Sequence, residues 1–264
     1  MKRFFQYLLG FNLASVIRGC RFGFGAFKAA CYASLCAVYP FQDKNKVREA
    51  EALKALPEVS LDEILGENKA EIKLTIQRHE DGMLSAGEAQ ALLSILVLEN
   101  PKEVLEIGTF MGHTTRRMAE NLKDSVIHTV DLPLDFSTSQ MPGGLPPKDD
   151  FHLINRRVVG REFKGQDCEK RIVQHFGDTA TMDFQKIGRP TFFFIDGSHT
   201  YDYCKQDSEK CLALCPSNGV FLWHDCDAWH PDVVRFIHEW RAAGKNVRRI
   251  KGTNLAYWKA PRSS

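Results

Sequence analysis

Residues 102–112 read KEVLEIGTFMG, and this stretch decides the fold. Its apolar run ends at Gly108, which is the pattern of a short buried strand. A helix is expected before it, over about residues 86–98, and another after Gly112. A buried strand between two helices predicts an α/β protein with a parallel sheet.

The same alternation continues to the end of the chain. Further strands are predicted in SVIHTVD, RIVQHF, TFFFID and GVFLWHD, with helices in YDYCKQDSEKCLALC and PDVVRFIHEWRAAG. Two closing strands, NVRRIKG and NLAYWKA, are joined by a tight turn, so one antiparallel strand is expected at the sheet edge. The fold class is therefore a Rossmann-like α/β fold with a mostly parallel sheet.

Two regions fall outside this alternation. Residues 1–81 are predicted to form a basic and apolar N-terminal helical extension and cap, and residues 82–264 the α/β domain. Within that domain, residues 132–168 are too long for an ordinary connection and are rich in Pro, Gly and Ser. Because this segment follows a strand end, we expect it to act as a lid over a ligand site.

Net charge and cysteine content argue against two classes of protein, those that bind nucleic acid and those built on disulfides. The 264 residues carry a net charge of only +2, which gives no electrostatic case for nucleic acid as a partner. None of the 8 cysteines forms a C-x-x-C pair, and the chain is too long for a typical disulfide scaffold. Reduced thiols and a cytoplasmic location are expected.

The N-terminal segment is unusual in charge. No acidic residue precedes Asp43, whereas basic residues interrupt an apolar and aromatic sequence. No apolar run reaches the roughly 18–20 residues of a spanning helix. Residues 1–42 are therefore expected either to pack on the domain or on a second subunit, or to associate with a membrane surface. A cleaved targeting peptide is less well supported.

Carboxylates mark the predicted strand ends. Ligands bind at the carboxyl ends of strands in such sheets, and each central strand here ends in an acidic residue. Asp131 lies a little over 20 residues beyond Gly108, which suits hydrogen bonds from a ribose diol. The loop GTFMG lacks the G-x-G-x-x-G pattern that cradles a pyrophosphate. A nucleoside ligand is therefore favoured over a dinucleotide.

Five motifs in order give a resemblance to a known family. EIGTFMG, VDLP, FGDTATMDF, FFFIDGSHTYDYCKQD and NGVFLWHD together resemble a class I S-adenosylmethionine-dependent methyltransferase. The DGSHTY and WHD signatures are similar to the small-molecule O-methyltransferase branch. The resemblance covers about residues 82–259 and implies a seven-stranded sheet with an inserted antiparallel strand.

The resemblance also implies cofactor contacts. Glu106, Gly108 and Gly112 would surround the methionine part of S-adenosylmethionine. Asp131 would bind the ribose, and Asp178 would face the adenine.

The acceptor side of the site is implied in the same way. Asp196 would lie beside the sulfonium as a cofactor-binding and catalytic residue, and Asp225, at the neighbouring strand end, would be a second catalytic residue. A hydroxyl acceptor must lose its proton, and His199 is the candidate base because an imidazole titrates near neutral pH. The alternative is that His199 only caps the following helix.

A divalent metal ion is the other route to an activated acceptor. In metal-dependent members of the resembling family, the ligands fall at the positions of Asp196, His224 and Asp225. Histidine here replaces an oxygen ligand, so Mg²⁺ is less well suited than zinc, iron or manganese, and a site without metal stays open. Cys226, Asp227 and His230 are expected to lie outside the ligand set, because the chain turns into a loop after Asp225.

The sequence thus predicts a methyltransferase that uses S-adenosylmethionine to methylate a small hydroxylated acceptor. A nicotinamide-dependent oxidoreductase is the alternative within enzymes. A membrane-associated, non-catalytic protein with the same fold is the alternative outside them. A homo-oligomer is compatible with all three.

Overall fold

The computed structural model describes residues 44–74, 82–133 and 158–261. The chain divides into two compact units, Met1–Ala50 and Glu51–Ser264, and the sheet lies in the second. Most of the predicted extension, the boundary at residue 81 and most of the predicted lid fall outside the described residues. Those expectations stay predictions.

The elements alternate as the sequence predicts. The strands are β1 (Glu58–Val59), β2 (Glu103–Ile107), β3 (Val126–Asp131), β4 (Ile172–Phe176), β5 (Phe192–Ile195), β6 (Val220–Trp223), β7 (Arg248–Ile250) and β8 (Ala256–Lys259). The α-helices are α1 (Lys44–Lys54), α2 (Leu61–Leu65), α3 (Ala86–Glu99), α4 (His113–Asn121), α5 (Tyr201–Leu214) and α6 (Pro231–Ala242). Two short 3₁₀ helices, Asp167–Arg171 and Phe184–Lys186, precede β4 and β5.

The sheet is mostly parallel, which confirms the predicted fold class. In the described residues its strand order is β1-β7-β8-β6-β5-β2-β3-β4. The antiparallel strand, β8, lies between β6 and β7 rather than at the outermost edge. The sheet extends further because β7 pairs in parallel with β1. This eighth strand is absent from the sequence prediction because two residues are too short to show a strand pattern.

The central strands are apolar on both faces because helices cover both faces. Successive side chains of a strand point to opposite sides, so Phe192 and Phe194 pack in one core cluster with Leu92 of α3. Phe193 packs in the other cluster, where its ring lies 4.5 Å from that of Phe221. The unbroken apolar runs of β5 and β6 thus form the middle layer of the fold.

Helix α3, whose position agrees with the predicted helix over about residues 86–98, begins at a capping box. The backbone N–H of Ser85 donates to Glu88 Oε2 at 2.8 Å, and the backbone N–H of Glu88 donates to Ser85 Oγ at 3.3 Å. The helix ends at Asn100, which adopts the left-handed conformation. Glu88 is buried, so this capping residue lies inside the protein rather than on its surface.

The structure gives no evidence of a membrane span in the residues it describes. None of those helices is both long enough and apolar enough to cross a bilayer. Residues 1–42, on which the predicted surface association depends, lie outside the described ranges.

Candidate active site

A cavity of about 390 Å³ lies at the carboxyl edge of the sheet. It is bordered by the segments that follow β2, β3, β4, β5 and β6, so it crosses most of the sheet. Its volume falls in the range of small-molecule sites. The residues that line it include Gly108, Asp131, Thr179, Asp196, Asp207 and His224.

The glycine loop after β2 has a backbone that other residues do not tolerate. Gly108 has φ +99°, and a Cβ there would lie 1.9 Å from the carbonyl oxygen of Asp196. The next turn is held by Asp131, whose Oδ2 accepts the backbone N–H of Phe110 at 2.7 Å. Gly112, with φ +88°, begins α4. Asp131 therefore both lines the cavity and fixes the loop beside it.

Glu106 is fully buried in β2, and it is not among the residues that line the cavity. Its carboxyl accepts hydrogen bonds from the hydroxyls of Thr115 and Thr129, the latter at 2.6 Å. Burial raises the pKa of Glu106 to about 8, although both threonines oppose the shift. Its predicted contact with the methionine part of the cofactor stays a prediction.

The far end of the cavity is built by the loop after β4 and by helix α5. Tyr203 Oη of α5 donates to Asp178 Oδ1 at 3.0 Å, and the backbone N–H of Ala180 donates to the same oxygen at 2.9 Å. Lys210 Nζ, also on α5, donates to the carbonyls of Ala180 and Met182, both at 3.1 Å. Helix α5 therefore fixes the loop that carries Asp178.

Asp207 lies on the same helix, four residues after Tyr203, and lines the cavity. The residue is 1% exposed, and its Oδ1 has no hydrogen-bond partner in the described parts of the chain. Burial raises the pKa of Asp207 to about 7, against a hydrogen bond from the Thr179 side chain.

The acceptor side contains a cluster of histidines and carboxylates. His224 Nδ1 lies 3.2 Å from Asp196 Oδ1 and 3.1 Å from Asp225 Oδ2. His199 Nε2 lies 2.6 Å from the same Oδ2 of Asp225. Asp225 has φ +54°, a left-handed conformation that non-glycine residues seldom adopt outside functional or turn positions. The ends of β5 and β6 thus meet as the sequence predicts.

A third carboxylate lies on the other side of His224. Glu88 Oε2 of helix α3 is 3.6 Å from His224 Nε2, an ion-pair distance. Burial alone would lower the pKa of His224, but Asp196, Asp225 and Glu88 together raise it well above its usual range. Burial would likewise raise the pKa of Glu88, yet the neighbouring His224 and the hydrogen bond from Ser85 lower it to about 2.

His230 completes the cluster. Its Nδ1 lies 3.0 Å from Asp227 Oδ1 and 3.5 Å from Asp225 Oδ1, and its ring centroid is 4.4 Å from that of His199. Burial would raise the pKa of Asp225, but hydrogen bonds from His199 and His224 hold it well below its usual range. Asp225 is therefore the shared anion of the cluster.

Two overlapping trios offer ligand atoms to a metal ion. Asp196, His224 and Asp225 form one, and His199, Asp225 and His230 form the other. Within each trio the ligand atoms lie within 4.8 Å of one another. Mixed imidazole and carboxylate donors suit Mn²⁺, Fe²⁺ or Zn²⁺ better than Mg²⁺.

The structure brings most of the predicted site residues together and adds others. Asp131, Asp196, His199, His224 and Asp225 all line one cavity. Asp178 lies beside it, with its Oδ1 already engaged. The sequence analysis placed His230 outside the ligand set, but the loop after Asp225 returns it to the cavity. It did not identify Glu88 or Asp207, because both lie on helices and not at the strand ends where ligand residues were sought.

The central part of the chain matches a known family of protein domains. Residues 105–226 match a family model described as a methyltransferase domain. No curated protein sequence matches the chain significantly.

Solved structures share the fold at low sequence identity. The SAH-bound methyltransferase PaMTH1 from Podospora anserina aligns with TM-score 0.51 and 16% identity, over 85% of this chain and 98% of that chain. The cofactor-bound protein Rv0187 from MTB aligns with TM-score 0.50 and 14% identity, over 89% and 97%.

The matched region begins within β2 and ends just after β6, so it includes the carboxyl ends of all the strands that border the cavity. The glycine loop after β2 and the acidic residues Asp131 and Asp196 at the strand ends line this cavity. Residues 105–226 therefore form a methyltransferase domain on a mostly parallel, Rossmann-like sheet.

Proposed function

We propose that the enzyme methylates a hydroxyl oxygen of a small molecule. The observation that carries this proposal is the pair formed by His199 Nε2 and Asp225 Oδ2, 2.6 Å apart, in a cavity that also contains Asp196. A histidine oriented by an ionised carboxylate is the arrangement that removes a proton from a hydroxyl nucleophile. Removal of the proton makes the hydroxyl oxygen a stronger nucleophile towards a sulfonium methyl group.

The residues of the pair have separate tasks. The hydrogen bond to Asp225 fixes the tautomer in which His199 Nδ1 carries the lone pair and takes the acceptor's proton. Asp225 then stabilises the imidazolium that results, because its carboxylate stays ionised. Bound S-adenosylmethionine supplies an electrophilic methyl group on a sulfonium, so orientation of the acceptor oxygen is the main further requirement.

Cofactor contacts are proposed at the strand ends. Asp131 accepts hydrogen bonds from the ribose diol while its Oδ2 keeps the glycine loop in place. Gly108 and Gly112 let the backbone approach the methionine part. Glu106 links β2 to α4 and β3 through the hydroxyls of Thr115 and Thr129, and Asp196 borders the sulfonium.

A metal-assisted route is the second proposal, supported by the spacing of Asp196, His224 and Asp225. These residues would hold a divalent ion, which would lower the pKa of a bound hydroxyl. The two routes differ in their response to chelators. The geometry offers no support for a nicotinamide enzyme, because the loop after β2 lacks a phosphate-cradling pattern.

The test is transfer of a radiolabelled methyl group from S-adenosylmethionine to a panel of catechols, phenols and sugar derivatives. Each acceptor is paired with an analogue whose hydroxyls are blocked as methyl ethers. We expect label in the free acceptors and none in the blocked ones. Label in amines only would contradict O-methylation. EDTA, followed by added Mn²⁺ or Mg²⁺, separates the metal-assisted route from the metal-free one.

A further inference from the structure

One buried acidic group has no part in the reaction proposed above. Asp207 lines the cavity and is 1% exposed, with Oδ2 of its carboxylate beside Gly197 after β5, yet its Oδ1 finds no hydrogen-bond partner within the described ranges. Burying a polar oxygen without a partner costs free energy, so such groups are rare unless a ligand completes them. A carboxylate oxygen accepts hydrogen bonds, and the missing partner is therefore a donor.

The surroundings of Asp207 are rigid. Tyr203, Asp207 and Lys210 are spaced four and three residues apart on α5, which places them on one face of the helix. Tyr203 and Lys210 hold the loop after β4 through Asp178 and two backbone carbonyls. Asp207 thus projects from a fixed wall, which is the requirement for recognising one group of a ligand.

The order of the strands identifies that group. The histidine cluster lies at the ends of β5 and β6, where the methyl group is transferred, and Asp131 lies at the end of β3. S-adenosylmethionine is the methyl donor. If its sulfonium lies at the end of β5 and its ribose at the end of β3, its adenine base extends towards the end of β4. Gly177 and Thr179 follow β4 and border the cavity together with Asp207. The exocyclic amino group is the hydrogen-bond donor of an adenine ring.

We propose that Asp207 is a cofactor-binding residue whose Oδ1 accepts a hydrogen bond from the exocyclic amino group of adenine. Asp178, which the sequence resemblance placed opposite the adenine, instead holds the loop through Tyr203 and Ala180. The proposal rests on S-adenosylmethionine as the cofactor of this cavity. The raised pKa of Asp207 agrees with a site that excludes water.

The experiment compares two ligands on the full chain by calorimetry. S-adenosylhomocysteine carries the amino group, and its 6-deamino purine analogue lacks only that group. Wild type is expected to bind S-adenosylhomocysteine about 10-fold more tightly than the analogue, the size of one buried hydrogen bond to a carboxylate. In Asp207→Leu this preference is expected to fall to about 1–2-fold, because the acceptor is removed.

Two further variants control the measurement. Glu209→Leu changes an exposed acid on the same helix and should keep the wild-type preference. Asp178→Asn tests the competing assignment: loss of the preference there, with its retention in Asp207→Leu, would overturn the proposal. Thermal unfolding checks that each variant is folded. The wild-type comparison needs no variant, and equal affinity for the two ligands would also overturn it.

Different binding results would contradict the role of Asp207 and the assignment of S-adenosylmethionine as cofactor. Tight binding of S-adenosylhomocysteine without preference for its amino group removes Asp207 from its role and leaves the cofactor assignment intact. Absence of binding to wild type overturns both.

Discussion

His199 is the residue on which the proposed chemistry depends most directly. Its side chain touches Asp225 on one side and lies near His230 on the other, and all three residues line the cavity. A positioned general base contributes about 10²–10⁴-fold to a rate. His199→Ala is therefore expected to lower kcat by about that factor, while the Kd for S-adenosylhomocysteine changes less than about 2-fold, because the cofactor contacts lie elsewhere.

The measurement is steady-state methyl transfer combined with calorimetric binding. His199→Gln serves as the companion variant, since it preserves a polar side chain of similar length but has no titratable nitrogen. Turnover near the wild-type level in both variants would assign His199 to a structural role, such as capping α5.

Glu88 is part of the site, but the sequence analysis did not identify it. Glu88 appears in the sequence as the acidic member of a capping box, a local feature complete without a tertiary partner. Only the folded chain shows that its second role is an ion pair with His224, 136 positions away, across the sheet. A single sequence offers no local signal for such a pair.

At the scale of elements, the loop between β2 and α4 is the most constrained segment of the site. Gly108 combines a positive φ with a close approach to the backbone of Asp196. Gly252, in the turn between β7 and β8, also has a positive φ, +80°, but no atom lies within 4 Å of a Cβ built there. A side chain at Gly252 would therefore introduce only an unfavourable backbone conformation. A side chain at Gly108 would introduce that conformation and a steric clash as well.

Gly108→Ala and Gly252→Ala form a matched pair. Gly252→Ala is expected to lower the free energy of unfolding by about 1–2 kcal/mol, the cost of a left-handed backbone in a residue with a side chain. Gly108→Ala should lose more than about 3 kcal/mol and should bind S-adenosylhomocysteine poorly, because β2 and β5 must separate. Chemical denaturation measures both. Equal losses would show that the contact with Asp196 relaxes freely.

Most elements follow from the sequence because each is specified locally. Unbroken apolar runs predict strands covered on both faces, and Ser85 marks the start of α3. The carboxylates of the site were predictable as a group, since parallel strands end at one edge of a sheet. By contrast, β1 has two residues, and its assignment depends on a partner strand far along the chain. Neither pattern nor propensity identifies such an element.

At the scale of the whole molecule, buried acids link stability to pH. Burial raises the pKa of Glu106 from 4.5 to about 8, so between these values the folded protein keeps a proton that the unfolded chain releases. Stability is therefore fully present below about pH 4.5 and is lost as pH rises through about 8. Asp207, whose pKa is raised to about 7, contributes with the same sign.

Glu106→Gln tests this linkage. The variant cannot titrate, so its free energy of unfolding should fall less steeply than that of wild type between pH 5 and 8, by an amount on the order of a few kcal/mol. Urea denaturation across that pH range measures the difference. Glu209→Gln, at an exposed position, should parallel wild type. Parallel curves for Glu106→Gln and wild type would mean that Glu106 stays ionised in the folded protein.

The pairing of β1 with β7 has a consequence for synthesis of the protein in the cell. Glu58 and Arg249, which pair across these strands, are 191 positions apart. At about 5–20 residues per second, translation needs roughly 10–40 s to cover that distance. All cavity-lining residues, from Gly82 to His230, leave the ribosome within this interval. A nascent chain therefore carries all the residues that line the cavity before the sheet can close at its β1 edge.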